Sequence, residues 1–281
     1  MPTLELYALN IAAMPHPDGV YESLLKQAAR KKVRARGADF AKITVPQSKS
    51  DGILVGRILV WTEIDRDGAW LDLASEQEVP PDQVDEIQIP DNVKPNYRCF
   101  VYGFDVANHR LYYEARNEKR EQLGPTVARR IFLNLLDGLS HSHEPIGVEV
   151  TLIPDEETLI RILRMRGLKR LHMRINRPNA DDFDTVQRRV LNDLINNHAG
   201  RRDTEYTRAK GEARLTPTDD VKVIAEVAAE NGFVEGEADA DGETVKVSTR
   251  EHPKRVILER ERGQSVVERL VSFISEVAQR A

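Results

Sequence analysis

Between Thr158 and Pro178 the chain places Arg161, Arg164, Arg166, Lys169, Arg170, Arg174 and Arg177 with no Asp or Glu among them, a local charge of +7. The chemistry this pattern serves is phosphate binding. Cations within roughly 10 Å of one another act jointly on a polyanion, and each phosphate they neutralise releases a counterion. Six of the seven are arginine, whose planar fork can meet a phosphate oxygen pair through two hydrogen bonds. Arg188 and Arg189 follow as outer contacts, and further basic groups stand at Arg30–Arg36 (RKKVRAR), Arg129/Arg130 and Arg201/Arg202.

Two carboxylate and imidazole groupings compete with that signal. Asp181, Asp182 and Asp184 resemble a cluster that could hold Mg²⁺ for phosphoryl chemistry. Their place in the first turn of a helix capped by Asn179 is the stronger reading, because carboxylates there complement unsatisfied N–H groups and the positive end of the dipole. His141-x-His143-Glu144 could offer metal ligands, but it follows a helix, where partly charged histidine suits the negative dipole end. Walker A, GxGxxG, GxSxG and HExxH patterns are absent. No catalytic residue, metal ligand or cofactor is assigned, and a non-enzymatic protein is expected.

The elements that must position these residues are punctuated clearly. Thr3–Ile11 reads as a strand, and Asp18 caps a helix reaching about Val33 with Tyr21, Leu24, Leu25, Ala28 and Ala29 on one face. Phe40–Val45 and Ile53–Ile64 are strands, with a short one around Trp70; Ser75–Lys94 is an irregular, proline-punctuated connection. Arg98–Val106 and Arg110–Ala115 form a hairpin, and Gly124–Leu139 an amphipathic helix. Ile146–Ile153 is a strand, and Asp155 opens a helix that Gly167 ends. In Leu168–Asn176, Leu171, Met173 and Ile175 alternate with Arg170, His172 and Arg174, which predicts a half-buried strand with a basic outer face. Asn179 starts the next helix, residues 199–215 are either a strand or a boundary linker, and Thr216-Pro217 opens a helix stopped at Asn231-Gly232. Phe233–Thr249 is a hairpin turning at Asp241-Gly242, His252–Glu261 another strand, and Ser265-x-x-Glu268 a capping box before the last helix.

This order gives an α+β fold, mostly antiparallel sheets with interleaved amphipathic helices. The expected organisation is an N-terminal α+β domain, 1–145, carrying an acidic connection, and a C-terminal α+β domain, 146–281, carrying the arginine-rich segment; a boundary near 205 is the alternative.

Charge totals conceal the pattern. The 281 residues carry 41 Lys+Arg and 46 Asp+Glu, a net charge of −5, which excludes a generally basic, histone-like protein. Yet Trp61–Asp91 holds ten acids (Glu63, Asp65, Asp67, Asp72, Glu76, Glu78, Asp82, Asp85, Glu86, Asp91) and one base (Arg66), a charge of −9 that offsets the basic block. The acidic segment is therefore a rival ligand for the basic face. Glu235, Glu237, Asp239, Asp241 and Glu243 recur at every second residue, so one face of that hairpin should repel phosphate and either point away from it or meet a basic partner surface; a free, solvated edge is the simplest reading. Uncharged runs are strand-sized, well short of the ~18 residues a spanning helix needs. With Cys99 as the only cysteine, expected to be a small core residue, and no secretory start, the expectation is a soluble protein of the reducing cytoplasm.

At Ile89-Pro90, Pro95-Asn96, Phe100, Phe104, His109, Val148-x-Val150, Leu171-x-x-x-Ile175 and Arg177-Pro178-Asn179-x-Asp181-Asp182, the chain resembles a bacterial family known only as a domain of unknown function. That resemblance runs from about residue 4 into the C-terminal third and brings no catalytic residues. From about residue 160 onward the pattern is more weakly similar to RexA-like phage exclusion proteins: a polar strand, a proline-bearing turn, a helix, the segment Arg208-Ala-Lys-Gly-Glu212 and a final amphipathic helix. The resemblance implies a homodimer that binds DNA without strong sequence preference and acts in abortive phage defence.

Three functional expectations follow. The first is sequence-nonspecific nucleic-acid binding through Arg161, Arg164, Arg166, Lys169, Arg170, Arg174 and Arg177, with Arg188 and Arg189 outside, in a sensor or subunit of phage defence. The second is a protein-interaction subunit whose acidic and basic patches match a second protomer or another defence protein. The third is an unrecognised metal-dependent nuclease using Asp181, Asp182 and His172.

Overall fold

Strand Thr3–Met14 (β1) is the spine of the molecule, and it is buried on both faces: Leu4, Leu6 and Ala8 point to one side, Leu9, Ile11 and Ala13 to the other. Apolar residues at both parities explain why its alternation reads only loosely in the sequence. The computed structural model to which it belongs describes residues 2–49, 52–176, 185–240 and 243–279.

The remaining principal strands are Val33–Arg36 (β2), Asp39–Ile43 (β3), Ile53–Thr62 (β4), Arg98–Asp105 (β5), Arg110–Glu114 (β6), Gly147–Leu152 (β7), Leu168–Asn176 (β8), Arg201–Thr207 (β9), Gly232–Ala240 (β10), Glu243–Ser248 (β11) and Arg255–Glu259 (β12). The principal helices are Val20–Ala28 (α1), Pro125–Leu136 (α2), Glu156–Leu163 (α3), Thr185–Asn196 (α4), Asp219–Asn231 (α5) and Val266–Ala278 (α6). The fold is α+β with mostly antiparallel sheets, as expected.

The larger sheet has nine strands in the order β7-β1-β6-β5-β4-β3-β2; β12 also pairs with β1, and Gln47–Ser48 with β4. β12 takes the Thr3–Tyr7 stretch of β1 and β7 takes Leu9–Met14, so segments from 147–152 and 255–259 both belong to this sheet. α1 and α2 cover one face, closing a core of Leu24, Ile58, Phe100, Tyr102, Phe104, Tyr113 and Phe132. α6 covers part of the other face, setting Leu270 and Ile274 over Leu6, Ile53 and Tyr112. Its approach depends on Gly103 of β5, where a Cβ would lie 2.6 Å from the Ile274 side chain.

The second sheet runs β9-β8-β10-β11, fully antiparallel. One face packs Leu171, Met173, Ile175 and Val234 against Ile162 of α3, Leu194 of α4 and Ala225 and Ala228 of α5. The C-terminal end of α5 is tied to the larger sheet. The Glu230 carboxylate meets Arg110 at 3.0 Å, its carbonyl accepts from Thr151 Oγ1 at 2.9 Å, and Asn10 Nδ2 donates to Asn231 Oδ1 at 3.1 Å.

Several expectations change locally. The first helix stops at Ala28, and the basic run beyond it becomes edge strand β2; Gly19 at φ +73°, not Asp18, occupies the N-cap. Lys31 turns instead to α2, donating to the carbonyls of Asn134 and Asp137 at its C-terminal end. Of the two readings left open for 199–215, the strand holds over Arg201–Thr207. The acidic connection contains the short pair Leu71–Asp72 with Gln77–Glu78 and a turn of helix at Pro81–Asp85. His141 and Glu144 face each other in a two-residue hairpin rather than at a helix end. Ser265 and Glu268 form the expected capping box. No helix among the described residues is long and apolar enough to cross a membrane.

Candidate phosphate-binding face

Strand β8 is the inner strand that carries Arg170, His172 and Arg174, and the alternation read from the sequence holds: Leu171, Met173 and Ile175 are buried against the helices while the three polar side chains line the opposite, half-exposed face. Antiparallel pairing places residues directly opposite one another on the same face. On one side of β8 the partners are Thr207, Glu205 and Asp203 of β9, and on the other Glu237, Glu235 and Phe233 of β10, so the basic row runs between two largely acidic rows.

The side chains close those charges onto one another. Arg170 forks between Glu237 and Glu205, each at 2.8 Å. Arg174 Nε reaches Asp203 at 2.7 Å and His172 Nε2 lies 3.2 Å from the same oxygen. Lys169 meets Asp239 at 2.6 Å and donates to Thr244 Oγ1 at 2.7 Å; Arg201 bonds Asp203 at 3.0 Å, Arg208 lies 3.5 Å from Asp239, and Lys246 meets Glu235 at 2.8 Å. The pKa values follow. Burial alone would raise the Asp203 carboxyl, but hydrogen bonds from Arg174 and His172 hold it below its ordinary value. The Arg170 bond lowers Glu205, the Lys169 bond lowers Asp239, and the two glutamates raise Arg170 in return.

The acidic hairpin expected to be a free edge is thus half of this face. β10 lies inside the sheet, paired with β8 on one side and β11 on the other, and Glu235, Glu237 and Asp239 neutralise the cations instead of pointing away from them. Sequence reading missed this because residues about 70 positions apart come together only through the strand order. The acidic Trp61–Asp91 segment does not supply the counter-charge: among the described residues no ion pair joins it to 158–176, and its Glu63 is held by Lys94.

The remaining sequence-predicted residues fall into three groups. Arg161, Arg164 and Arg166 are exposed and make no ion pair among the described residues; Arg161 lies in the last turn of α3, Arg164 at its C-cap and Arg166 in the turn that follows. α3 lies across β10 over Gly236, where a Cβ would come within 2.7 Å of Ile162, and Gly167, at φ +66°, brings the chain so close to β10 that a Cβ would sit 2.7 Å from the Asp239 carbonyl. Arg188 and Arg189 are exposed on α4. Arg177, Asn179, Asp181, Asp182, Asp184 and the Asp241-Gly242 turn lie outside the described residues.

One further basic residue joins the face without any signal in the sequence. Arg250, in the turn after β11, stacks its guanidinium 3.6 Å from the centroid of Phe233, and Arg174 approaches the same ring at 5.2 Å. Burial, then the neighbouring charges of Arg174 and Arg129, lower the Arg250 pKa.

A carboxylate whose pKa is held down by an arginine is a weak base, so Asp203 and Glu205 are suited to holding register rather than moving protons. The cations of this block that make no ion pair among the described residues are Arg161, Arg164 and Arg166 at the end of α3.

The chain belongs to a family described as a domain of unknown function, DUF4747, whose model matches residues 2–275. No curated protein matches it.

Proposed function

We propose that this member of a family without assigned function is a non-enzymatic nucleic-acid-binding protein, gripping duplex phosphates through Arg161, Arg164 and Arg166, with Arg188 and Arg189 as outer contacts. The observation carrying this reading is the contrast within one charged block. Lys169, Arg170 and Arg174 are held by carboxylates of their own sheet, whereas the three arginines beside them are exposed without an ion pair among the described residues. At 1.5 Å rise per helical residue, Arg161 and Arg164 are about 5 Å apart along the axis, within one Debye length. Contacts of this type carry no base readout, so binding is sequence-tolerant and strongly salt-dependent.

The weak pattern resemblance to RexA-like proteins from about residue 160 onward suggests a wider reading: a cytoplasmic, bacterial, dimeric DNA-binding sensor or subunit in abortive phage defence. The test is anisotropy of a labelled duplex against Arg161→Ala/Arg164→Ala/Arg166→Ala. Loss of most of the affinity supports the assignment, and undiminished binding rejects it.

A second reading is favoured by the acidic connection, whose Asp67, Glu76, Glu78, Asp82, Asp85, Glu86 and Asp91 are exposed and make no ion pair among the described residues. A basic surface on a second copy or another defence protein would complement it. That arrangement predicts salt-sensitive assembly in sedimentation and no duplex binding.

A further inference from the structure

The outer face of the larger sheet is covered unevenly. α6 closes it over β1 and β5, but toward the β2 edge the same face carries Arg34, Phe40, Lys42, Arg57, Leu59, Trp61 and Cys99, all exposed or half-buried. Register fixes their common side: Arg34 stands opposite Phe40, Phe40 opposite Trp61, and Leu59 opposite both Lys42 and Cys99.

Two aromatic rings and four cations meet there. The Phe40 and Trp61 rings are 6.5 Å apart with planes inclined by 24°. The Arg34 guanidinium lies 5.6 Å and the Lys32 ammonium 5.8 Å from the centre of Phe40. The nearby carboxylates are already held: Asp39 by Arg98 and Thr62, Glu63 by Lys94 and the Trp61 indole. Lys32, Arg34, Lys42 and Arg57 have no ion pair among the described residues, so this face, unlike the small sheet, keeps its positive charge.

We propose that this face binds single-stranded nucleic acid, with unpaired bases laid against Phe40 and Trp61 and phosphates held by Lys32, Arg34, Lys42 and Arg57. Aromatic platforms bordered by cations suit single strands because every base has a π-face to stack and every nucleotide a phosphate to neutralise. A duplex hides those π-faces, and an acidic protein segment has charge but no bases. The site stands apart from the α3 arginines and does not depend on them. Cations on an edge strand also deter sheet-to-sheet aggregation, a role that needs no ligand.

In a Trp70→Phe background Trp61 is the sole tryptophan, since the chain has two. Short oligothymidylate should quench its emission saturably, and Phe40→Leu should weaken binding by at least about 5-fold. Arg34→Glu/Lys42→Glu, exchanges of solvent-facing side chains checked for folding by circular dichroism, should abolish it. Arg161→Ala/Arg164→Ala/Arg166→Ala should leave the quenching intact, so failure of duplex binding and failure of this site are read separately. No quenching, quenching undiminished by the charge reversal, or equal quenching by a matched duplex or by polyglutamate would overturn the proposal.

Discussion

Arg170 and Glu237 stand directly opposite one another on neighbouring strands of the small sheet and are joined at 2.8 Å, with Glu205 on the other flank bonded to the second arm of the same guanidinium. A residue that the sequence offers for phosphate is therefore occupied on both arms by its own sheet. A phosphate reaching Arg170 must displace two carboxylates.

Releasing that arginine should create the site the sequence suggests. Glu205→Gln/Glu237→Gln leaves Arg170 without carboxylate partners, and duplex affinity should rise. The slope of log K against log salt should steepen by about 0.9 for each new phosphate contact. Anisotropy titrations between low and moderate salt check this.

The same pairs set a pH dependence. Asp203, Glu205 and Asp239 have pKa values lowered in the folded state, so the native protein binds fewer protons than the unfolded chain as those groups titrate. Their stabilisation is complete above the ordinary carboxylate range and is lost as pH falls through the depressed values. Urea midpoints should drop on acidification below about pH 4, and Asp203→Asn should lower the neutral-pH midpoint while flattening the acid limb.

Glu114 should behave oppositely. Burial raises its carboxyl to about 7, although the Val101 amide donates to it and partly opposes the shift. The folded state holds a proton that the unfolded state has lost, so stability falls as pH rises from about 4.5 to about 7 and then levels. Glu114→Gln keeps an acceptor for that amide and removes the buried charge. Its gain at pH 8 should be on the order of 2–3 kcal/mol, shrinking toward pH 5. Chemical denaturation across that range measures the difference.

Glycine substitutions should rank by what their Cβ meets. At Gly232 it would lie 2.0 Å from the Arg174 carbonyl, fixed backbone in the next strand; at Gly103 it meets the movable tip of Ile274 at 2.6 Å. Gly232→Ala should cost about 3 kcal/mol or more, and Gly103→Ala about 1–2 kcal/mol. Thermal melts of the two variants test the order, and a larger loss at Gly103 would contradict the packing described for α6.

What could be read beforehand was local. The inward stripe Leu171, Met173, Ile175, the amphipathic α2 and the Ser265–Glu268 cap all follow from periodicity or a motif within a few residues, and each appears in the fold. What could not be read depends on strand order. Asp203 and Glu237 became partners of the basic strand because β9 and β10 flank β8, and no spacing in the chain encodes that. Cys99, expected in the core, is half-buried on the open outer face. The helix expected to reach Val33 gave way to β2 because pairing with β3 and packing of Ala35 prevailed over local helical propensity.

On the proposed function, duplex phosphates are held by the exposed arginines of α3 and not by the paired row of β8. The salt dependence of duplex binding measures it most directly, comparing Arg161→Ala/Arg164→Ala/Arg166→Ala with the charge-neutral Arg170→Gln/Glu205→Gln. The slope should be shallower by roughly 2 to 3 for the former and unchanged for the latter. An unchanged slope for the α3 variant, or the larger loss in the β8 pair, would contradict it.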